Sequence, residues 1–197
     1  KIWNPIRINE LAYEIEKKQH GAPSGGDNTA VTMGGFLWFR KEQEFLKSMW
    51  QLPFKPHSSL NHFFLINTGR PVETTGEMVA LVKSKVQSQK SKMEKFMNLN
   101  ELQTKRVTVP LKGGNEVELI DAIRMGEKTL EGMGVVSKKV MPLMRHIEKA
   151  GGAVKILGGG GKKEGAGFLL CYHHKPEVVN QLCKPYGFPL QDITLGE

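Results

Sequence analysis

A single carboxylate stands in a short loop built almost entirely of small or rigid residues. The segment HGAPSGGDN, residues 20–28, contains Asp27 together with three glycines, a proline and a serine. Pro23 and the Gly25-Gly26 turn stiffen this loop, so the carboxylate is held in a nearly fixed position. A fixed carboxylate can orient a hydroxyl group and take its proton; the alternative is an Asx turn in which Asp27 caps the next element. Ser24 has two interpretations as well, a hydrogen bond within the loop or one to a substrate.

A second glycine-rich segment has the composition of an anion-binding loop. KILGGGGKKEGAG, residues 155–167, has six glycines in thirteen residues and lies between two predicted strands. Glycine lets successive backbone N–H groups point toward one centre, and such a nest binds phosphate. Lys162 and Lys163 add positive charge. The spacing matches neither the dinucleotide-binding nor the P-loop pattern, so a flexible hairpin tip is an equally good interpretation.

Two threonines stand at the start of a predicted helix. Thr74 and Thr75 precede Met78, Val79 and Val82, which recur at helical spacing. A threonine at this position can cap the helix. The helix N-terminus can instead bind a carboxylate or phosphate group of a substrate. Both interpretations stay open at this point.

Hydrophobic periodicity predicts the elements that carry these residues. An apolar repeat after Asn9, taken as an N-cap, predicts a helix that ends at His20-Gly21. The later predicted elements are, in order, hairpin strands at 35–40 and 44–50, a strand at 61–67, helices from 74 or 75, at 117–132 and at 138–150, strands at 153–157 and 167–172, a helix at 176–184 and a strand at 191–195. This mixture predicts an α+β fold with a ferredoxin-like sheet and helices on one face. The polar break after the hairpin predicts two domains, 1–54 and 55–197.

The charge of the chain favours an anionic partner. Among 197 residues, Lys and Arg exceed Asp and Glu by 28 − 20 = 8, which suits a nucleotide, a phosphorylated metabolite or a nucleic acid. The excess is concentrated at residues 83–112, where eight basic residues accompany two acidic ones. Aromatic residues that would stack on bases are nearly absent there. We therefore expect a solvated helix face and no nucleic-acid partner, with a basic nucleic-acid-binding module as the less favoured alternative.

The hydropathy of the chain indicates where the protein is located. No run of 18 apolar residues occurs and the first fifteen residues are too polar for a signal peptide, so neither a membrane span nor secretion is indicated. We expect a cytoplasmic protein without a membrane partner.

Cys171 and Cys183 lie in apolar surroundings and are expected to be buried free thiols.

HGAPSGGDN resembles the HG-x-PSG-x-DN motif of mevalonate kinases in the GHMP kinase family. Glu16 lies four residues before His20, as a magnesium-binding glutamate does in that family. Three further segments resemble the family in the same order, at 67–82, 119–137 and 154–161. The resemblance implies a GHMP kinase C-terminal domain, preceded by the last part of the N-terminal domain, which is ribosomal S5 domain 2-like.

The sequence departs from the family pattern in two places. In the glycine-rich motif at 154–161, Leu157 replaces a hydroxyl residue of the family pattern and Gly159 replaces an alanine. Lys162 and Lys163 follow where further glycine is common in the family. The phosphate-binding motif of the type Pro-x-x-x-Gly-Leu-Gly-Ser-Ser-Ala has no match in this chain. We therefore expect the N-terminal half of the kinase to be missing, and the 197 residues alone not to turn over ATP.

The resemblance also implies the chemistry and the residues of the site. The expected reaction is ATP-dependent phosphorylation of an alcohol, first of all mevalonate to 5-phosphomevalonate in isoprenoid precursor synthesis, with ATP and Mg²⁺ as cofactors. Asp27 would act on the acceptor hydroxyl and Glu16 would bind Mg²⁺. The residues expected near the nucleotide phosphates are Gly158, Gly159, Gly160 and Gly161, and those expected to contact substrate are His20, Ser24, Thr74 and Thr75. The alternative is another GHMP kinase, for a phosphomevalonate or a sugar, and a homodimer is an expected assembly state.

Overall fold

The chain is described here by a computed structural model that covers residues 4–20 and 23–196. It divides into two compact units, of which the first ends at Lys55 and the second comprises Pro56–Leu195. None of the described helices is long and apolar enough to cross a membrane.

The first unit contains two helices and a hairpin. Its elements are α1 (Pro5–His20), α2 (Gly26–Met33), β1 (Leu37–Lys41) and β2 (Lys47–Gln51). The two strands are antiparallel, with Trp38 opposite Trp50. The predicted hairpin is therefore confirmed, with its turn at 42–46 instead of 41–43.

Helix α1 begins earlier than predicted. Pro5 is its first residue, a position that tolerates the missing N–H of proline, and the side chain of Asn4 accepts the amide N–H of Ile6 at 3.0 Å. The prediction that Asn9 caps this helix is wrong, because Asn9 is buried inside it. Its side chain donates to the Thr29 hydroxyl of α2 at 3.2 Å.

The second unit contains a four-stranded sheet and five helices among the residues described. Its elements are β3 (His62–Asn67), α3 (Thr75–Ser88), α4 (Lys90–Gly113), α5 (Glu116–Met133), α6 (Met141–Lys149), β4 (Ala153–Ile156), β5 (Phe168–Tyr172), α7 (Pro176–Cys183) and β6 (Leu190–Thr194). The strands are all antiparallel in the order β4-β5-β3-β6. This is the ferredoxin-like order, so the predicted α+β fold is confirmed.

One face of this sheet packs against the helices. Phe64, Ile66 and Leu169 point from the strands into an apolar core that also contains Met144 of α6 and Val179 of α7. Cys171 and Cys183 lie in the same core as free thiols, as predicted. Burial raises the pKa of the Cys183 thiol to about 11.

The free edge of β4 is covered by α5. The amide N–H of Ile156 donates to the Glu127 carboxylate at 3.0 Å, and Arg124 donates to the carbonyl of Gly152 at 2.8 Å. Side chains from α5 thus satisfy backbone groups that an edge strand otherwise leaves open. This fixes the end of β4, from which the glycine-rich loop begins.

Candidate active site

The acidic loop of the first unit leads directly into α2. Gly25 has a left-handed φ of +86°, and a Cβ at this position would lie 3.0 Å from a ring carbon of Tyr13. Glycine is therefore required both by the backbone conformation and by the close ring. Asp27 lies in the first turn of α2, where the sequence predicted a loop. The hydroxyl of Ser24 accepts the amide N–H of Gly26 at 3.1 Å, a hydrogen bond within the loop.

Polar side chains from three elements hold this loop. Lys41 of β1 donates to the carbonyl of Pro23 at 3.0 Å and to the hydroxyl of Tyr13 at 2.8 Å. The hydroxyl of Thr29 donates to the carbonyl of Gly25 at 2.6 Å. No pattern in the sequence marks Tyr13 or Lys41, because the two bonded side chains lie 28 residues apart in the chain.

Asp27 is exposed on this rigid support. Among the described residues, its carboxylate has no hydrogen bond or ion pair, so it is free to contact a bound molecule. Its place in the first turn of α2 suits negative charge, because the helix dipole is positive there.

Glu16 lies on the face of α1 that carries Tyr13, one turn further along the helix. Tyr13 contacts Gly25, so this face of α1 is turned toward the acidic loop. Glu16 is half-buried, and within the described residues its carboxylate has no partner. No group of three potential metal ligands occurs in the part of the chain that the structure describes. A single hard carboxylate nevertheless suits Mg²⁺, which is often held by one or two carboxylates and by substrate phosphates. The His20 side chain lies outside the described residues.

In the second unit, the glycine-rich loop is anchored by neighbouring segments. The hydroxyl of Thr68 accepts the amide N–H of Ala166 at 2.9 Å, and the amide of Gly161 donates to the carbonyl of Val135 at 3.0 Å. The hydroxyl of Ser137 also donates to the carbonyl of Glu164. These contacts hold the loop against neighbouring segments, which argues against the alternative of a flexible hairpin tip.

Three successive amides of this loop remain available. The N–H groups of Gly158, Gly159 and Gly160 donate to no group within the described chain. Gly158 and Gly160 have φ values of +69° and +71°, a conformation that turns backbone donors to one side. A Cβ at Gly159 would lie 3.4 Å from the Thr75 methyl group. The loop therefore lies against the N-terminus of α3, where further N–H groups and the helix dipole favour an anion.

The structure separates the two threonines. Thr74 is the N-cap of α3, and its hydroxyl accepts the amide N–H of Glu77 at 3.2 Å while Glu77 accepts the amide of Thr74 at 2.7 Å. This capping box occupies Thr74. Thr75 is exposed beside Gly159 and its hydroxyl is free within the described residues.

Glu73, the residue before the N-cap of α3, is hydrogen-bonded to the glycine-rich loop. Glu73 accepts the amide N–H of Lys162 at 3.1 Å. The hydrogen bond from Lys162, supported by the amide of Lys163, holds the pKa of Glu73 below its usual value. Beyond the loop, an apolar cavity of about 450 Å³ lies between α3 and α4 and reaches Gly159.

Comparison with known proteins gives a consistent result over nearly the whole chain. No family model matches. The mevalonate kinase of Pyrococcus horikoshii is 23% identical over 189 residues, which are 93% of this chain and 53% of that protein. The chain thus spans about half the length of the curated relative that it matches.

Solved structures share the fold. The mevalonate kinase of L. major in complex with R-mevalonate has a TM-score of 0.79 and 18% identity, over 98% of this chain and 59% of that one. The phosphomevalonate kinase of Streptococcus pneumoniae in complex with phosphomevalonate and AMPPNP has a TM-score of 0.78 and 15% identity, over 98% of this chain and 62% of that one. The chain therefore has the fold of these mevalonate and phosphomevalonate kinases, and its sequence match falls on the C-terminal half of the Pyrococcus horikoshii mevalonate kinase.

Proposed function

We propose that this chain belongs to an ATP-dependent kinase that transfers a phosphoryl group to the 5-hydroxyl of mevalonate. The observation that carries this proposal is the group of three unpaired amides at Gly158–Gly160 beside the N-terminus of α3. Phosphoryl transfer depends mainly on positioning and on stabilising phosphate charge, and this arrangement supplies donors for both. The mevalonate kinases among the similar proteins support the choice of acceptor.

Asp27 is proposed to act on the acceptor. Its carboxylate would orient the hydroxyl and take the proton as the phosphoryl group arrives. Its exposure and lack of partners in the described chain suit this role, and the bonds to Gly25 and Pro23 keep its loop in place. Ser24 and His20 flank the same loop and are proposed to contact the substrate. Thr75 is the better placed of the two threonines to bind an anionic group of the acceptor.

Glu16 is proposed as the Mg²⁺ ligand. When bound, Mg²⁺ neutralises charge on the nucleotide phosphates. Glu16 contributes an oxygen ligand of the required hard type from a half-buried position on α1. The amides of Gly158–Gly160 are proposed to receive phosphate oxygens, whereas the amide of Gly161 is used to hold the loop.

The remaining parts of the site are proposed to come from a preceding N-terminal half. That half would supply the main ATP-binding loop, for which this chain has no matching motif. We therefore expect no ATP turnover from the purified 197-residue chain. Turnover of mevalonate by this chain without any added segment would contradict that expectation.

The complete protein can be tested by coupled measurement of ADP release with mevalonate, phosphomevalonate and a set of sugars. We expect mevalonate to be preferred, and Asp27→Asn to lower kcat/KM at least about 100-fold through loss of the base. Asp192→Asn makes the same chemical change on β6 and should leave turnover unchanged. Undiminished turnover of Asp27→Asn would remove Asp27 from the mechanism, and preference for a sugar would refute the acceptor.

Phosphomevalonate is the second candidate acceptor. The fold matches the Streptococcus pneumoniae phosphomevalonate kinase almost as well as the L. major mevalonate kinase, with TM-scores of 0.78 and 0.79. The two acceptors differ by one phosphate group, so the ratio of their kcat/KM values decides between them.

A further inference from the structure

Glu73 binds the glycine-rich loop as an anionic ligand would. One carboxylate oxygen, Oε2, accepts the N–H of Lys162 at 3.1 Å. The other oxygen, Oε1, is buried and has no hydrogen-bond partner among the residues described. The loop thus uses the backbone donor of Lys162 on a carboxylate of the chain itself.

A carboxylate and a phosphate group require the same donors. Both are oxyanions that accept backbone N–H groups in a nest. Among the residues described, the loop has three backbone donors that are free, at Gly158–Gly160, and one that Glu73 occupies, at Lys162. A phosphate near the loop would also be repelled by the Glu73 carboxylate, since like charges that share a site oppose one another.

The rest of the loop does not depend on Glu73. Thr68 holds Ala166, Val135 holds Gly161 and Ser137 holds the carbonyl of Glu164. Loss of the Glu73 contact would therefore release the amide of Lys162 without unfolding the loop.

We propose that Glu73 is an internal competitor for the glycine-rich loop, which alternates between a state bound to Glu73 and a state bound to an anion. That this anion is a nucleotide phosphate rests on the proposed function. The competition itself requires only an oxyanion, so inorganic diphosphate is a sufficient probe.

The test compares Glu73→Gln with Glu77→Gln in the 197-residue chain. The first substitution removes the charge on the loop, while the second removes a charge four residues away on α3 whose side chain bonds Thr74 instead of the loop. We measure the dissociation constant of inorganic diphosphate by calorimetry, and amide hydrogen exchange in a peptide that contains Lys162 and Lys163.

For Glu73→Gln we expect diphosphate to bind about 3- to 10-fold more tightly and the Lys162 amide to exchange at least about 5-fold faster without ligand. Diphosphate should slow exchange at this amide both in the native chain and in Glu73→Gln. Glu77→Gln should change either quantity by less than about 2-fold.

Three results would overturn the proposal. Unchanged exchange in Glu73→Gln would show that the carboxylate does not bind the loop in solution. Faster exchange without tighter diphosphate binding would show that the contact does not compete. Equal tightening by Glu77→Gln would show a general charge effect. None of these results bears on the phosphorylation of mevalonate by the complete protein, so failure of the two proposals can be told apart.

Discussion

At the scale of single residues, Glu127 is the most unusual ionisable group in the described chain. It is completely buried, and burial is the main cause that raises its pKa to about 7. The hydrogen bond from Ile156 and the charges of Lys155 and Arg145 oppose this rise, while Glu148 adds to it. One carboxylate oxygen of Glu127 has no hydrogen-bond partner among the residues that the structure describes, so the ionised form is poorly compensated.

The raised pKa predicts a pH-dependent stability. The folded state binds the Glu127 proton more tightly than the unfolded state, so this stabilisation is complete below about pH 4.5 and is lost as pH rises to about 7. The difference corresponds to roughly 3 kcal/mol. Glu127→Gln cannot ionise, so its free energy of unfolding should improve relative to the native chain by about that amount between pH 4.5 and 8.5.

Urea unfolding at the two pH values measures this difference. Glu177→Gln, the same chemical change at an exposed site on α7, serves as the control and should show no such pH-dependent gain. A stability difference between Glu127→Gln and the native chain that stays constant from pH 4.5 to 8.5 would contradict the assignment.

At the scale of elements, the glycine-rich loop depends on individual glycines in different ways. Gly158 and Gly160 have nearly the same left-handed φ. A Cβ at Gly158 would meet no described atom within 4 Å, whereas a Cβ at Gly160 would lie 2.0 Å from the carbonyl oxygen of Val135. The two positions therefore separate the cost of the backbone conformation from the cost of a clash.

Alanine substitutions test this difference. Gly158→Ala should lower the free energy of unfolding by about 1–2 kcal/mol, the cost of a left-handed non-glycine residue. Gly160→Ala should cost at least about 2 kcal/mol more, because the backbone of Val135 must also move. Urea unfolding of the two variants measures both values. Equal losses would show that the loop moves freely away from Val135.

Sequence patterns predicted most elements of the second unit, because their apolar residues recur at regular spacing. Val140, Leu143 and Ile147 mark α6 and are completely buried. Helix α4 was absent from the predicted series of elements, although a solvated helix face was expected at 83–112, since its many exposed lysines hide the few buried residues such as Met93. Helix α2 was missed because it has eight residues and begins with glycine.

The candidate site was predictable only where a residue lies in a motif. Asp27 and Gly158–Gly160 were found in this way, although their proposed roles still need the experiments above. Thr68 and Glu73 carry no local signal, because each acts on residues about 90 to 100 positions away. Such contacts arise from the antiparallel pairing of β3 with β5, which the sequence pattern does not specify.

At the scale of the whole molecule, the two units differ in how completely they bury their apolar side chains. In the first unit, Leu11 and Ile15 of α1 are 67% and 58% exposed, and Val31 and Phe45 are 88% and 85% exposed. A unit of about 55 residues buries little apolar surface, so its stability is marginal. The apolar repeat of α1 predicted a helix, but its buried side is formed by Asn9 and Tyr13.

We therefore expect the first unit to open locally while the second stays folded. In the 197-residue chain, amides of α1 and α2 should exchange at least about 10-fold faster than those of β5, because local opening needs less free energy than global unfolding. Hydrogen exchange followed by mass spectrometry measures both regions in one experiment.

Tyr13→Ala should accelerate exchange in α2 further, because the Tyr13 ring packs against Gly25. Ile15→Ala, on the exposed side of α1, is the matched control and should leave exchange in α2 unchanged. If the proposed N-terminal half covers this apolar side, α1 should be protected as strongly as β5 in the complete protein. Equal protection already present in the 197-residue chain would contradict the expected difference between the units.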